Sequence, residues 1–286
     1  MIERVGIVSK PGREDLPDLL RSLTARLDQK GVSYAFDRVT AEYLRAADGF
    51  ERTELPEDFD LMIVLGGDGT LLSAARGVGA TETPILAVNL GGFGFLMTTG
   101  PEEALDALDK ALAGDYTVLS RTVLEAEVLR DGGRIGLYQA LNDVVVNKAA
   151  IARLLQLGVY IDGELMCEYR ADGLILSTPT GSTAYSLAAG GPVMLPRVEA
   201  LCVAPICPHT LSNRPVVLPE SSRVEIVFRG GDDSTFLTID GQVGVNLRIN
   251  DRIRARKADH RVQIIQPREL PFFKVLRTKM NWGGEV

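Results

Sequence analysis

A chain of 286 residues, 45% of them hydrophobic and 24% charged, has the composition of a globular protein large enough for two domains. Its formal net charge of −7 disfavours a general nucleic-acid binder. No apolar stretch reaches the roughly 18 residues that a membrane-spanning helix needs, and the N-terminus lacks the layout of a signal peptide. The three cysteines fit a reducing compartment. We therefore expect a cytoplasmic protein that binds neither nucleic acid nor membrane.

The first part of the chain alternates short apolar runs with helical patterns. The patterns predict strands at 5–8, 33–36, 61–65 and 84–88, and helices at 16–30, after Thr70 and at 102–113. Strands that alternate with helices form parallel sheets, and ligands bind at the carboxyl ends of such strands. Residues 1–118 are therefore predicted to form an α/β domain with an open, mostly parallel sheet.

From about residue 119 the pattern changes to alternating, β-branched runs. These runs predict strands at 124–129, 136–147, 154–161, 224–228, 235–239, 243–249 and 261–265. We expect a β-rich second domain over 119–268, followed by a tail over 269–286. The sequence leaves open whether a short helix from Phe272 onward returns to the first domain.

The strand at 61–65 runs directly into Gly66-Gly67-Asp68-Gly69-Thr70. Glycines permit positive φ and the close approach of a ligand. We expect Thr70 to open the following helix, whose first N–H groups favour an anion. Asp68 beside a phosphate would hold a cation, accept a proton from an attacking hydroxyl or bind a sugar. The alternative is an ordinary turn in which Asp68 caps the helix.

Two further segments combine glycines, hydroxyls and strand ends. The segment Asn89 to Leu96 is expected either to form a second pocket wall, with one aromatic ring at a base or ribose, or to be a plain turn with Phe93 and Phe95 in the core. In the segment Arg170 to Pro192, a strand ends in a hydroxyl-rich turn and a helix opens at 182 or 183. Free N–H groups and hydroxyls there suit a phosphate-bearing ligand.

Acids within the β-rich part are further candidates for binding. Asn142 and Asp143 fall inside a predicted strand from 140 to 146, where one of them must find a polar partner because an unpaired buried polar group is destabilising. The alternative is a strand-edge pair that faces water. Asp240 stands at an Asp-Gly hairpin turn, and Lys148 and Arg170 are candidate positive charges near these acids.

Metal and hydrolase chemistry have weak support in the residues. The Cys207-Pro208-His209 segment, with Cys202 nearby, lacks a second Cys-x-x-Cys or a carboxylate-rich cluster. No Gly-x-Ser-x-Gly elbow accompanies His209 or His260, which disfavours a Ser-His-Asp hydrolase. We name no residue of the chain as a metal ligand.

Taken together and in this order, the motifs closely resemble those of NAD kinases. The resemblance spans about residues 60–245 and is carried by Gly66–Thr70, Asn142-Asp143, Asp172-Gly173, Ser177–Ser186, Pro208–Pro215 and Asp240-Gly241-Gln242. The first motif alone is also found in phosphofructokinases and in diacylglycerol or sphingosine kinases, so a lipid or sugar kinase is the alternative. A catalytically silent nucleotide-binding protein is a third hypothesis, which the presence of Asp68 disfavours.

The resemblance implies transfer of the γ-phosphoryl group of ATP to the 2′-hydroxyl of the adenosine ribose of NAD, which forms NADP, with Mg²⁺ or another divalent metal. It also implies an α/β N-terminal domain and a β-rich, sandwich-like C-terminal domain, assembled as a homodimer or homotetramer. The substrates would be NAD and ATP, and the sequence leaves open NADH as acceptor, inorganic polyphosphate as donor and feedback by NADP.

The resemblance also implies roles for individual residues. Asp68 would accept the proton of the 2′-hydroxyl. The ATP phosphates would contact Gly66, Gly67, Gly69 and Thr70, and Phe95 would line the pocket. NAD would contact Asn142, Asp143, Arg170, Asp172, Thr183, Ala184, Tyr185, Asp240 and Gln242. Many relatives carry Glu after the Asn, so Asp143 is one methylene shorter.

Overall fold

A computed structural model describes residues 2–52, 55, 58–91, 94–97, 99–148, 153–210, 212–231, 234–266 and 272–282. The chain divides into two compact units. Met1–Ser120 and Val262–Val286 form the first unit, and Arg121–Arg261 form the second. The chain therefore leaves the first unit near residue 120 and returns to it at Val262.

The elements follow one another in two groups. Before the second unit the chain forms β1 (Arg4–Ser9), α1 (Leu16–Lys30), β2 (Ser33–Phe36), α2 (Arg38–Leu44), β3 (Leu61–Gly66), α3 (Asp68–Val78), β4 (Ile85–Asn89) and α4 (Ala104–Ala113). There follow β5 (Thr117–Arg130), β6 (Gly133–Ala140), β7 (Asp143–Lys148), β8 (Leu155–Ile161), β9 (Glu164–Ala171), β10 (Gly173–Ser177), α5 (Tyr185–Ala188), β11 (Ala200–Ile206), β12 (Val216–Pro219), β13 (Val224–Gly230), β14 (Thr235–Ile239), β15 (Val243–Asn246), β16 (Arg252–Gln266) and α6 (Phe272–Met280).

The first unit is built on a parallel sheet in the order β2-β1-β3-β4, with Ile264 and Ile265 of β16 parallel to β4. Helix α1 buries leucines spaced three or four residues apart, so that one face packs on the strands. Gly31 ends this helix in the left-handed conformation. The strands are apolar on both faces, as in sheets that helices cover on both sides. This arrangement is the predicted α/β domain.

The second unit is a sandwich of two sheets. One sheet is antiparallel in the order β12-β11-β10-β7-β14-β15. In the other, β13 pairs with β16 and β8, β8 pairs with β9, and β5 pairs with β16 and β6. Apolar residues of both sheets share one buried cluster, including Val144, Leu176, Val159 and Ile226. The prediction of a β-rich, sandwich-like domain is therefore confirmed.

Several predicted elements differ from those observed. The predicted strand over 136–147 is two strands, because the chain bends at Leu141 and Asn142. Helix α2 was not predicted, since it has only seven residues and its N-terminus depends on the buried cap Asp37. Strand β16 is longer than the predicted 261–265, because its first half alternates arginines with buried residues. None of the helices in the described part of the chain is long and apolar enough to cross a bilayer.

Candidate active site

Asp68 lies in the first turn of α3, directly after the carboxyl end of β3. The N-cap is Gly67, and no side chain caps the helix. Asp68 therefore does not cap the helix, and its Oδ2 instead accepts the N–H of Phe95 at 3.1 Å. Its Oδ1 is buried and has no hydrogen-bond partner among the described residues. A buried carboxylate oxygen without a partner is rare unless a ligand or a reaction uses it.

The segment after β4 supports this carboxylate. Asn89 is buried at the end of the strand, where its side-chain amide donates to the carbonyl of Met97 at 3.2 Å and its Oδ1 accepts the N–H of Gly91 at 3.0 Å. A Cβ atom at Gly94 would overlap Oδ1 of Asp68. The segment predicted as a second pocket wall thus holds Asp68, and the part of that prediction that concerns Gly92 and Phe93 lies outside the described residues.

Replacement of Gly94 by alanine is expected to displace the Asp68 carboxylate. The new methyl group would also come within 3.3 Å of Nδ2 of Asn89, so neither neighbour offers room. Misplacement of a reacting group by about 1 Å reduces turnover by about 100-fold, and we expect that loss in kcat with little change in ligand affinity. The matched control is Gly91→Ala, where the nearest atom is 3.8 Å away. Equal kcat values for the two variants would contradict the role of Gly94.

The glycines of the Gly66–Thr70 motif provide close packing and access. Gly66, Gly67 and Gly69 are not among the residues with positive φ, so the left-handed conformation that glycine permits is not used here. A Cβ at Gly66 would overlap the hydroxyl of Thr70, whereas a Cβ at Gly67 would meet open space. The prediction that Thr70 opens the helix is wrong, because α3 begins at Asp68. The N-terminus of α3 is nevertheless an anion-attracting site.

In the second unit, Asn142 and Asp143 form a corner between β6 and β7. Asn142 lies in the bend and Asp143 is the first residue of β7, so the predicted position inside one strand is wrong. Asp143 is only 5% exposed, which excludes the alternative of a pair that faces water. Burial away from water raises the pKa of Asp143 to about 7 from its ordinary 3.8, and the negative charge of Asp240 adds to this rise.

Asp240 holds the backbone of this corner. Its Oδ1 accepts the N–H groups of Asn142 at 2.8 Å and Asp143 at 3.2 Å, and its Oδ2 accepts that of Leu141 at 3.1 Å. Its own N–H donates to the carbonyl of Asp143 at 2.9 Å. Asp240 and Gly241 have φ of 49° and 64° in the turn between β14 and β15, so the predicted Asp-Gly hairpin is confirmed.

The hydroxyl-rich turn after β10 holds the same corner from its carbonyl side. Thr178 donates its hydroxyl to Leu141 at 2.6 Å and its N–H to Asn142 at 2.9 Å. A Cβ at Gly181 would overlap the carbonyl of Asn142. The hydroxyls of Ser177 and Thr180 are buried without a partner among the described residues, and Ser177 lies opposite Asp143 across β10 and β7. Two such hydroxyls thus lie at the end of β10 and in the turn after it, and one of them belongs to the residue opposite Asp143.

The remaining candidate residues differ in their exposure and in their partners. Thr183 and Ala184 are half-buried and Tyr185 is exposed at the start of α5. The helix predicted to open at 182 or 183 begins as a 3₁₀ turn, Gly181–Thr183, before α5. Asp172 pairs with Lys148 at 2.6 Å, so Lys148 is a positive charge beside an acid, as expected. Arg170 and Gln242 are exposed.

Metal-ligating and thiol groups do not converge in the described residues. In the part of the chain that the structure describes, no group of three or more His, Cys, Asp or Glu side chains could hold a metal ion. Cys202 is buried, Cys167 is half-buried and Cys207 is exposed, and all three are free. Burial raises the pKa of the Cys202 thiol, which keeps it protonated and unreactive.

The parallel sheet carries a carboxylate and a helix N-terminus at its carboxyl edge, and the β-rich unit has buried hydroxyls without partners among the described residues. These features are typical of proteins that bind a phosphate-bearing ligand. Comparison with known proteins makes the class specific. The ATP-NAD kinase N-terminal domain matches residues 5–116, and the ATP-NAD kinase C-terminal domain matches residues 141–267. The chain belongs to the NAD kinase family and is an ATP-dependent kinase that acts on NAD.

Related sequences and solved structures match this chain over almost its whole length. NAD kinases from Solibacter usitatus and Koribacter versatilis are 45% and 48% identical over 283 residues, which cover 99% of this chain and 99% of each relative. The crystal structure of yeast NADH kinase complexed with NADH matches with a TM-score of 0.89 at 27% identity, over 100% of this chain and 89% of that one. An NAD kinase from Archaeoglobus fulgidus in complex with ATP shares the fold, with a TM-score of 0.76 at 23% identity over 97% and 98% of the two chains.

Proposed function

We propose that Asp68 is the proton acceptor of the phosphoryl transfer from ATP to the 2′-hydroxyl of the adenosine ribose of NAD. The observation that carries this proposal is the buried Oδ1 of Asp68, which has no partner among the described residues, while Oδ2 is fixed by the N–H of Phe95. The hydroxyl oxygen attacks the γ-phosphorus, the bond to the β-phosphate oxygen breaks, and the proton passes to Oδ1. The products are NADP and ADP.

This reaction demands little covalent chemistry from the protein. Phosphoryl transfer proceeds through a loose transition state, so positioning and charge neutralisation supply most of the rate. The N-terminus of α3 offers both to a phosphate, because Gly67 leaves its first turn without a side-chain cap. We assign the ATP phosphates to Gly66, Gly67, Gly69 and Thr70, and a place beside the ligand to Phe95.

The second unit supplies the groups that hold NAD. A carboxylate suits two ribose hydroxyls and an amide suits the edge of an adenine, so we assign these contacts to Asp143 and Asn142. The unsatisfied hydroxyls of Ser177 and Thr180 support a ligand at this corner. Thr183, Ala184, Tyr185 and Asp172 are assigned to the pocket walls, and Arg170 and Gln242 to outer contacts.

A divalent cation belongs to the proposal. We assign Mg²⁺ to the phosphates of ATP and name no protein ligand. Bound there, the cation neutralises charge on the phosphates.

The direct test is an assay of the purified chain with ATP, Mg²⁺ and NAD. NADP should form, detected by reduction through an NADP-specific dehydrogenase, and diacylglycerol or fructose 6-phosphate in place of NAD should give no product. Phosphorylation of either alternative acceptor without NADP formation would favour the lipid or sugar kinase hypothesis. Binding of NAD without turnover would favour a silent nucleotide-binding protein.

The same assay extends to the open choices of substrate. NADH is a second acceptor to test, because the structurally similar yeast protein is an NADH kinase complexed with NADH. Inorganic polyphosphate is a second donor to test, and added NADP tests feedback. A homodimer or homotetramer in the cytoplasm remains a prediction, which light scattering of the eluted protein and fractionation of cells would check.

A further inference from the structure

One carboxylate, that of Asp240, contacts three successive backbone amides of the corner that carries Asn142 and Asp143. Successive N–H groups that converge on one point form a concave anion site. Here the anion belongs to the chain itself, because both oxygens of Asp240 accept these N–H groups at 2.8 to 3.2 Å. Asp240 is only 8% exposed.

We propose that Asp240 is a positioning residue for NAD binding, whose carboxylate fixes the backbone of Leu141, Asn142 and Asp143 and thereby sets where the side chains of Asn142 and Asp143 lie. The proposal rests on the assignment of these two side chains to NAD. It replaces direct contact between Asp240 and NAD, because both carboxylate oxygens are engaged with backbone N–H groups.

The turn alone does not require an acid at position 240, whereas the three backbone amides do. A type I′ hairpin accepts Asn or Asp at its first central residue, since both tolerate positive φ. Asn would keep one carbonyl oxygen for the N–H groups of Asn142 and Asp143, but its NH₂ group would face the N–H of Leu141. The backbone turn therefore tolerates either residue, whereas the three amides are satisfied by the carboxylate.

Asp240 also acts on Asp143 through its charge. Asp143 lies opposite Ser177 of β10, and the side chain of Ser177 is uncharged. On its other side lies the turn between β14 and β15, where Asp240 is the charged group. Lys148 at the far end of β7 is paired with Asp172. The negative charge of Asp240 raises the pKa of Asp143, so removal of that charge should allow Asp143 to ionise at lower pH.

The experiment compares Asp240→Asn, Asp240→Ala and wild type in the full-length chain. NAD affinity is measured by titration calorimetry, the Asp143 carboxyl is titrated by carbon-13 NMR, and exchange of the 141–143 amides is followed by mass spectrometry. The matched control is Asp251→Asn, which removes a carboxylate of similar burial that contacts Arg130 and Arg248 and not the corner.

We expect Asp240→Ala to weaken NAD binding by about 10- to 100-fold, the effect of removing hydrogen bonds to a charged group, and to speed amide exchange at 141–143. Asp240→Asn should weaken binding less and lower the pKa of Asp143 by about 0.5 to 1 unit. Asp251→Asn should change none of these. The NMR and exchange measurements do not require turnover. Failure of the chain to phosphorylate NAD would therefore contradict the proposed function and leave this test valid.

Two results would overturn the inference. One is wild-type NAD affinity in Asp240→Ala together with unchanged exchange at the corner. The other is equal loss of NAD affinity in Asp240→Ala and Asp251→Asn, since that loss would reflect general destabilisation of the second unit. If Asp240→Ala does not fold, Asp240→Asn alone decides, because an unchanged titration of Asp143 and unchanged exchange would exclude both effects.

Discussion

Replacement of Asp68 by asparagine should reduce kcat by about 10²- to 10⁴-fold, the usual contribution of a positioned general base. The amide of asparagine matches the carboxylate in size and keeps an oxygen for the N–H of Phe95, so the local backbone should not change. What it loses is a basic oxygen at the position of Oδ1. Steady-state assays of NADP formation measure the loss, and calorimetry should show wild-type affinity for NAD.

The control for this variant is Asp60→Asn. Asp60 is likewise a carboxylate of the first unit that accepts backbone N–H groups, from Glu3 and Arg4 at 2.8 and 2.9 Å. Its replacement should leave kcat at the wild-type value. Wild-type turnover in Asp68→Asn would remove Asp68 from the role of proton acceptor, and loss of NAD binding would assign it to the substrate site instead.

Replacement of Asp143 by asparagine should make the protein more stable and bind NAD more weakly. The folded-state pKa of Asp143 lies near 7, above its ordinary 3.8. Between these values the folded chain retains a proton that the unfolded chain releases, so stability falls as pH rises through this window and is level above it. Asparagine carries no such charge. The variant should therefore gain up to about 4 kcal/mol above pH 7, and less near pH 4.

Urea unfolding at about pH 5 and pH 8 checks the difference in stability, and calorimetry checks the affinity. We expect NAD binding to weaken by about 10-fold or more, since an NH₂ group would replace the oxygen that, in the proposed contact, accepts a hydrogen bond from a ribose hydroxyl. Binding of ATP should not change. A stability gain that is the same at both pH values would show that Asp143 does not titrate in this window.

Local sequence predicted most of the elements. Helix α1, β2 and β14 have the predicted bounds. Helix α1 carries a strong helical period and ends at Gly31, and β14 alternates up to the turn at Asp240 and Gly241. The bend at Asn142 was missed, since the apolar run continues on both sides of it. Its cause is the contact with Asp240 and Thr178, which lie far along the chain.

The candidate site was predictable where a motif carries its own chemistry. Asp68 stood out as a carboxylate among glycines after a strand. The roles of Asn89 and Gly94 in holding Asp68 were not predicted, although the sequence offered a signal, which was an amide at the end of an apolar strand followed by glycines. The burial and raised pKa of Asp143 could not be predicted, because they depend on residues far along the chain. These are Ser177, which lies opposite Asp143 on β10, and Asp240 of another hairpin, whose negative charge adds to the rise in pKa.

The bonds from Asp240 to the 141–143 corner also constrain the order of folding. They join segments separated by 97 to 99 residues, beside the antiparallel pairing of β14 with β7, and contacts between segments so far apart form slowly because loop closure costs entropy. During synthesis from the N-terminus, the corner cannot form before the chain beyond Asp240 has emerged from the ribosome. A ligand that binds this corner, as we propose for NAD, can therefore stabilise the completed second unit but cannot guide the early steps that build it.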